Sequence, residues 1–295
     1  MRADVRMLAL AIALAVTARM AAQSTRPTAD PVLRARALRA GAPLKMFVPS
    51  GTVQLIGWDR DSLVVRGRLP ASAQLLLSGT DSAGYKLIVD QRDGGSMSAS
   101  RLEIYMPKAS QVALKTVDAL SDVSDVGGWF YAVSGSYHIA GTMRTVDVES
   151  MSGDIDLDAA TPWARAKTGK GRLVIRGSPE DVDASTIGGT LDVATATILH
   201  GRFTAVTGDI HYAATMREHA IFELSTHSGT IDFLLPRDVS ARFELSSVEG
   251  VIDNGFAQLR PAASGVHTLQ VSLGTGAADV TVRTFKGRVR LRARP

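Results

Sequence analysis

Apolar and polar residues alternate with period two over most of the chain beyond residue 110, which is the pattern of strands with one buried face. Glycine punctuates the alternation. Gly135, Gly153, Gly171 and Gly189 stand 18 residues apart, Gly208, Gly229 and Gly250 follow after 19, 21 and 21, and Gly287 comes 37 later. Two residues after the glycines stand Tyr137, Ile155, Leu173, Leu191, Ile210, Ile231 and Ile252, and four after stand Ile139, Leu157, Ile175, Val193, Tyr212, Phe233 and Asn254. Five before, the column is again apolar: Phe130, Val148, Ala166, Ala184, Phe203, Leu224, Leu245 and Val282. Three before it is small: Ala132, Ser150, Thr168, Thr186, Ala205, Thr226, Ser247 and Thr284. Positions between these columns, such as Asp147, Arg165, Asp183, Arg202, Glu223 and Glu244, are expected to face water.

A column that keeps its character over seven or eight rungs favours stacking over a hairpin meander, whose strands need not recur in register. The pattern predicts an all-β fold: a β-solenoid of stacked 18- to 21-residue coils, with the right hand favoured, and an amino-terminal β cap region. Eight rungs at about 4.8 Å make a rod of roughly 40 Å. Glycine at each corner is expected to take positive φ, so that Gly153→Val would cost roughly 1–3 kcal/mol. Residues 46–107 carry strand-like runs without the 18-residue register, with a hairpin turn expected at Asp93-Gly94-Gly95-Ser96. The last gap, before Gly287, has the length of two coils and would close the series.

At the amino terminus, Arg2 and Arg6 precede an apolar run from Met7 to Val16, and small residues follow to Ala22, which is the layout of a secretory signal peptide. The run is too short for a span, which needs about 20 residues. Cleavage after Ala18 satisfies the small-residue rule, cleavage after Ala22 would leave Gln23 first, and an uncleaved anchor is the rival. The expected plan is a signal peptide (1–22), a solvated linker (23–45) with a short helical turn near Leu33 to Arg39, the β cap (46–107) and the solenoid (108–295). Export to the periplasm, the outer surface or the medium follows, with no membrane span in the mature chain.

Composition sharpens this picture in three ways. The absence of cysteine removes disulfides, thiolate metal sites and thiol nucleophiles. Aromatics form only 5% of the 295 residues, against 27 glycines, as a slim aliphatic interior requires. The net charge of +4 comes from the two ends: residues 1–22 and 286–295 together carry +7 and leave the body at −3. No basic stripe interleaved with aromatics covers a face, so nucleic acid is not an expected partner. Lys286, Arg288, Arg290, Arg292 and Arg294 fall on one face of a final strand, either to protect an open sheet edge or to dock an anionic lipid or polysaccharide.

The runs Ser152-Gly153-Asp154-Ile155-Asp156-Leu157 and Ser228-Gly229-Thr230-Ile231-Asp232-Phe233, the latter followed by Leu235-Pro236, together with the opening Gly51 to Asp59 and the closing Gly274-Thr275-Gly276, resemble a known family. It is the bacterial cell-envelope β-strand-repeat family labelled "putative adhesin", a domain of unknown function, and the resemblance covers roughly residues 46–292. It implies an exported repetitive β-structure and supplies no catalytic residues to transfer. Gly169-Lys170-Gly171 and Ile187-Gly188-Gly189 depart from its turn by lacking the serine before the glycine.

Candidate chemistry is sparse. Asp154, Asp156 and Asp158 share an outward face and offer hard oxygen ligands for Ca²⁺, although a solvated face that blocks stray pairing explains them as well. In a stacked rod His211 would lie between Asp192 and Asp232, as a surface ion pair or a metal ligand. His200, His219, His227 and His267 lack ligand spacing, the Gly169-Lys170-Gly171 run lacks the pattern of a phosphate loop, and no Gly-x-Ser-x-Gly elbow occurs. No catalytic, cofactor or metal residue is therefore assigned. The expected function is a non-enzymatic adhesin-like or scaffold module of the envelope. The alternatives are an enzyme acting on acidic polysaccharide, with Asp154, Asp156 and Arg165 or Arg172 lining a groove, and a periplasmic scaffold for a signalling partner.

Overall fold

The computed structural model describes residues 30–92, 98–194, 196–256 and 267–294, which form one 24-stranded sheet wound into a rod. The first nine strands are β1 (Asp30–Ala37), β2 (Leu44–Val48), β3 (Gly51–Trp58), β4 (Ser62–Leu69), β5 (Ala73–Thr80), β6 (Gly84–Gln91), β7 (Ser100–Pro107), β8 (Gln111–Thr116) and β9 (Leu120–Ser124). Next come β10 (Gly127–Ala132), β11 (Ser136–Thr142) and β12 (Thr145–Ser150), then two long strands, β13 (Ile155–Thr168) and β14 (Leu173–Thr186), each of which ends one coil and begins the next. The remainder are β15 (Leu191–Ala194), β16 (His200–Ala205), β17 (Ile210–Ala213), β18 (Ile221–Thr226), β19 (Ile231–Leu235), β20 (Ala241–Ser247), β21 (Ile252–Asn254), β22 (Thr268–Leu273), β23 (Asp279–Thr284) and β24 (Val289–Ala293).

Strands before a corner stack into a leading wall and strands after it into a trailing wall, both by parallel pairing. The register is the one set by the glycine columns: Tyr137 pairs with Ile155, Ile155 with Leu173, Leu191 with Ile210, and Phe130 with Val148. These columns are buried between the walls, while the residues between them turn outward. Apolar burial of this kind contributes roughly 1.5–3 kcal/mol per large side chain, and parallel pairing requires it on long-range contacts alone.

Chain order and spatial order part at both ends. The last coil, β23 and β24, lies between the β18/β19 and β20/β21 coils, so Gly287 is next to last along the rod and does not close it. At the other end the β2/β3 coil lies between β6/β7 and β8/β9. Antiparallel strands then cover the ends, with β5 on β6, β4 on β7 and β1 on β4, and β22 on β20. Residues 46–107 thus contribute full coils as well as covering strands, and the boundary expected at residue 107 does not interrupt the rod.

Three other expectations change. The linker segment contains β1, which pairs with β4 over its whole length because β4 otherwise leaves an open edge. The leader expected at 1–22 and the turn expected at 93–96 lie outside the described residues, but β6 and β7, on either side of 93–96, sit on different walls and form no hairpin. The corner glycines Gly135, Gly153, Gly171, Gly189, Gly208, Gly229, Gly250 and Gly287 are all absent from the positive-φ positions. What demands glycine is the stacking of the corners. A Cβ on Gly153 would overlap the carbonyl oxygen of Gly135, one on Gly171 that of Gly153, and the series continues through Gly229 and Gly287 to Gly250.

Candidate functional site

Corner chemistry accounts for the small column three residues before each glycine. The Ser150 hydroxyl accepts the Gly153 N–H at 2.9 Å and donates to the Gly135 carbonyl at 2.8 Å, tying one corner to the next. Thr168 repeats this with Gly171 and Gly153 at 3.1 and 3.0 Å, and Thr186, Thr226, Ser247 and Thr284 accept the N–H of their own glycines. Outside this ladder, the residues two before each glycine form a ridge that includes Val133, Met151, Ile187, Val206, Phe285 and Val248, all exposed. The ridge is notched at Gly169, where a groove of about 540 Å³ opens beside Lys167 and Lys170.

On the trailing wall the register brings His211 between Asp192 and Asp232, with His211 Nδ1 3.1 Å from Asp192. Both carboxylates are largely buried and already engaged: Arg172 Nε donates to Asp192 at 2.6 Å, and Arg292 Nε donates to Asp232 at 2.9 Å. A second histidine, His138, stands in register between Asp122 and Asp156, at 3.5 Å from Asp156. Asp156 also pairs with Arg176, while Asp154 accepts the backbone N–H of Arg172 at 2.7 Å. Asp154 and Asp156 are therefore held by separate partners, and among the described residues no group of three or more acidic or histidine side chains is disposed to hold a metal ion. Arg172 shares a groove of about 370 Å³ with Asp154 and Asp156, but Arg165 lies on the leading wall, where its guanidinium grips Asp147 at 2.8 Å. Of the residues named for an acidic-polysaccharide enzyme, Asp154, Asp156 and Arg172 share this groove and Arg165 does not. His200 pairs with Asp181 on the leading wall, and His227 stacks on Phe285.

The basic strand is interior to the sheet, since β24 pairs with β19 on one side and β21 on the other. Edge protection cannot explain its charges. They answer the acids of the flanking coils: Lys286 lies 3.6 Å from Glu249, Arg288 3.7 Å from Asp253, and Arg292 pairs with Asp232. Arg294 donates to the Leu234 carbonyl at 3.2 Å, and Arg290 stands in register between Asp232 and Asp253. The edge that arginine does cover is β1, where Arg34 and Arg36 donate to the carbonyls of Leu33 and Ala35 at 3.0 and 2.8 Å.

A patch on the leading wall was missed from the sequence. The outward row Lys86, Lys45, Ala113, Trp129 runs across β6, β2, β8 and β10, beside a second row of Ile88, Phe47, Lys115 and Tyr131. Trp129 and Tyr131 stack with centroids 5.8 Å apart and planes 8° apart, and Lys115 Nζ lies 5.2 Å from the Trp129 ring centre. Two grooves of about 360 Å³ each share Lys45, Ala113 and Trp129. The signal available was the rarity of aromatics, which makes three on one exterior patch conspicuous.

Burial raises the hydroxyl pKa of Tyr137, with the Thr116 hydrogen bond opposing, and that of Tyr212, with the Arg294 charge opposing. No helix among the described residues is long and apolar enough to cross a membrane.

Comparison with solved structures gives the same architecture. An adhesin from Parabacteroides merdae, described as "putative", aligns at a TM-score of 0.52 with 10% identity over 89% of this chain and 97% of its own. A second, from Parabacteroides distasonis, aligns at 0.52 with 10% identity over 90% and 98%. At that identity the likeness is one of fold. No curated protein matches the chain. The family model described as Toastrack DUF4097 matches residues 78–292, from within β5 to within β24, and the chain belongs to that family.

Proposed function

We propose that the chain is an exported, non-enzymatic binding module of the bacterial envelope, acting by presenting the long walls of a rigid β rod to other surface components. The observation that carries this reading is the arrangement of charge: acids and bases along the walls neutralise one another between adjacent coils, and even in the groove shared by Asp154, Asp156 and Arg172 the Asp156 carboxylate is paired with Arg176 and the Arg172 guanidinium with Asp192. The charged and apolar leader supports export. The solved neighbours are described as "putative adhesin", which agrees with a surface role.

Cells expressing the full chain are to be fractionated, the chain's amino terminus sequenced, and the purified protein tested for retention on isolated envelopes. An envelope or secreted fraction beginning after Ala18 or Ala22, together with retention on envelopes, is the expected result. An intact Met1 in the cytosol, or no retention, would overturn the reading.

A further inference from the structure

We infer that the patch around Trp129 is a binding site for an acidic polysaccharide. This rests on the envelope-binding reading and names its ligand class. Three lysines, Lys45, Lys86 and Lys115, line the groove that runs past Phe47 to Trp129, and no carboxylate lines it. Among the described residues none of the three has an ion-pair partner, whereas Arg165, Arg172, Lys286 and Arg288 are each matched to an acid one coil away. The nearest carboxylate on the neighbouring groove, Asp147, is held by Arg165 at 2.8 Å. Uncompensated positive charge therefore coincides with exposed ring surface.

That combination selects for chemistry. A sugar ring has an apolar face of C–H groups that packs against an indole, and an acidic sugar carries a carboxylate or sulfate at its edge for an ammonium group. Ala113, short and in register between Lys45 and Trp129, leaves the space in which such a ring would lie. Adjacent coils repeat at about 4.8 Å, so lysines one to two coils apart present charges at intervals comparable to those of a chain carrying an anion on each sugar. The two grooves continue on either side of Trp129, which suits a polymer crossing the wall more than a single small molecule. A bilayer would instead require apolar groups that protrude. Phe47 is 38% exposed and Trp129 half-buried on a flat wall.

The test is titration of the purified chain with polygalacturonate, followed by tryptophan fluorescence and affinity electrophoresis, with dextran, anionic lipid vesicles and a single-stranded oligonucleotide as the other probes. Binding of polygalacturonate but not dextran, weakened by salt, is expected. Trp129→Ala and the triple variant Lys45→Ser, Lys86→Ser, Lys115→Ser should each weaken it at least tenfold, while Arg288→Ser stays within twofold. Trp129→Phe and the corresponding triple lysine-to-arginine variant keep ring and charge and should retain binding, which separates recognition from loss of fold. The inference is overturned if the Ala and Ser variants bind like the parent, if dextran binds equally, or if only vesicles or the oligonucleotide bind. Retention of Trp129→Ala on isolated envelopes at the parent level would sink this site while leaving the envelope-binding reading intact.

Discussion

The middle of the rod and its carboxyl end solve one packing problem with different materials. Around Gly153, Gly171 and Gly189 the corners recur every 18 residues and the interior is filled by Ala159, Ala164, Ala166 and Ala184 beside Val148 and Val182. Beyond Gly189 the spacing grows to 19 and then 21, and Phe203, Tyr212, Phe222, Phe233 and Phe243 enter the interior. Their rings touch at centroid distances from 5.3 Å for Tyr212–Phe222 to 6.4 Å for Phe203–Phe222. Gly201 gives up its side chain there, because a Cβ would overlap the Phe203 and Phe222 rings. Coil length therefore changes along with what the coil encloses: the coils that hold this run of rings carry one to three added residues. The two regions also differ in order, since middle coils pair with their sequence neighbours while the end coils interleave.

The largest effect is expected from emptying the wide end. Phe222→Ala should cost about 3–5 kcal/mol in urea unfolding, with faster amide exchange confined to coils near β16 to β20 if the two regions are separable. Gly171→Val tests the narrow middle, where the new side chain must displace the Gly153 backbone; about 3 kcal/mol or more is expected, and an unchanged melting temperature would refute the stacked-corner explanation. Thr168→Val keeps the shape but strips the hydroxyl that joins Gly171 to Gly153, for about 1–3 kcal/mol. The same change has no counterpart at Gly208, whose small residue is Ala205. Last comes an alkaline effect divided between the regions, because Tyr137 and Tyr212 ionise less readily folded than unfolded. Their contribution is complete below the ordinary tyrosine value of 10.0 and is lost as pH climbs above it, so Tyr137→Phe and Tyr212→Phe should each flatten the fall in melting temperature above about pH 10.

The inward columns were legible because side-chain alternation is local, and a buried wall tolerates no slip of one residue. The corner positions were legible too, but not their cause. Each corner glycine after Gly135 is forced by another 18 to 58 residues away in sequence, Gly287 by Gly229 being the longest of these separations, and no local pattern records that overlap. The terminal coil's position was hidden for a related reason: register says that β23 and β24 fit on a wall without saying between which neighbours. Its charges held the hint, since five cations in an acidic body can settle beside Asp232, Glu249 and Asp253 without reaching for an outside partner. β1 was misread because its residues are polar or exposed on both sides and only the open flank of β4 makes it a strand. The Trp129 patch joins Phe47 to residues more than 60 positions later through the interleaved β2, which no reading in chain order assembles.

Interleaving also fixes when the molecule can be finished. Coils from β8 to β19 can be laid down as the chain emerges, each on the one before it, but the β20/β21 coil has its parallel partner only after residues 279–293 have arrived. A chain halted short of that point leaves β18 and β19 with open edges and an acidic flank unmatched. The tip of the rod thus depends on an inner rung that comes after the outer one in sequence, and a copy lacking residues 279–293 carries a loose end that a protease can find.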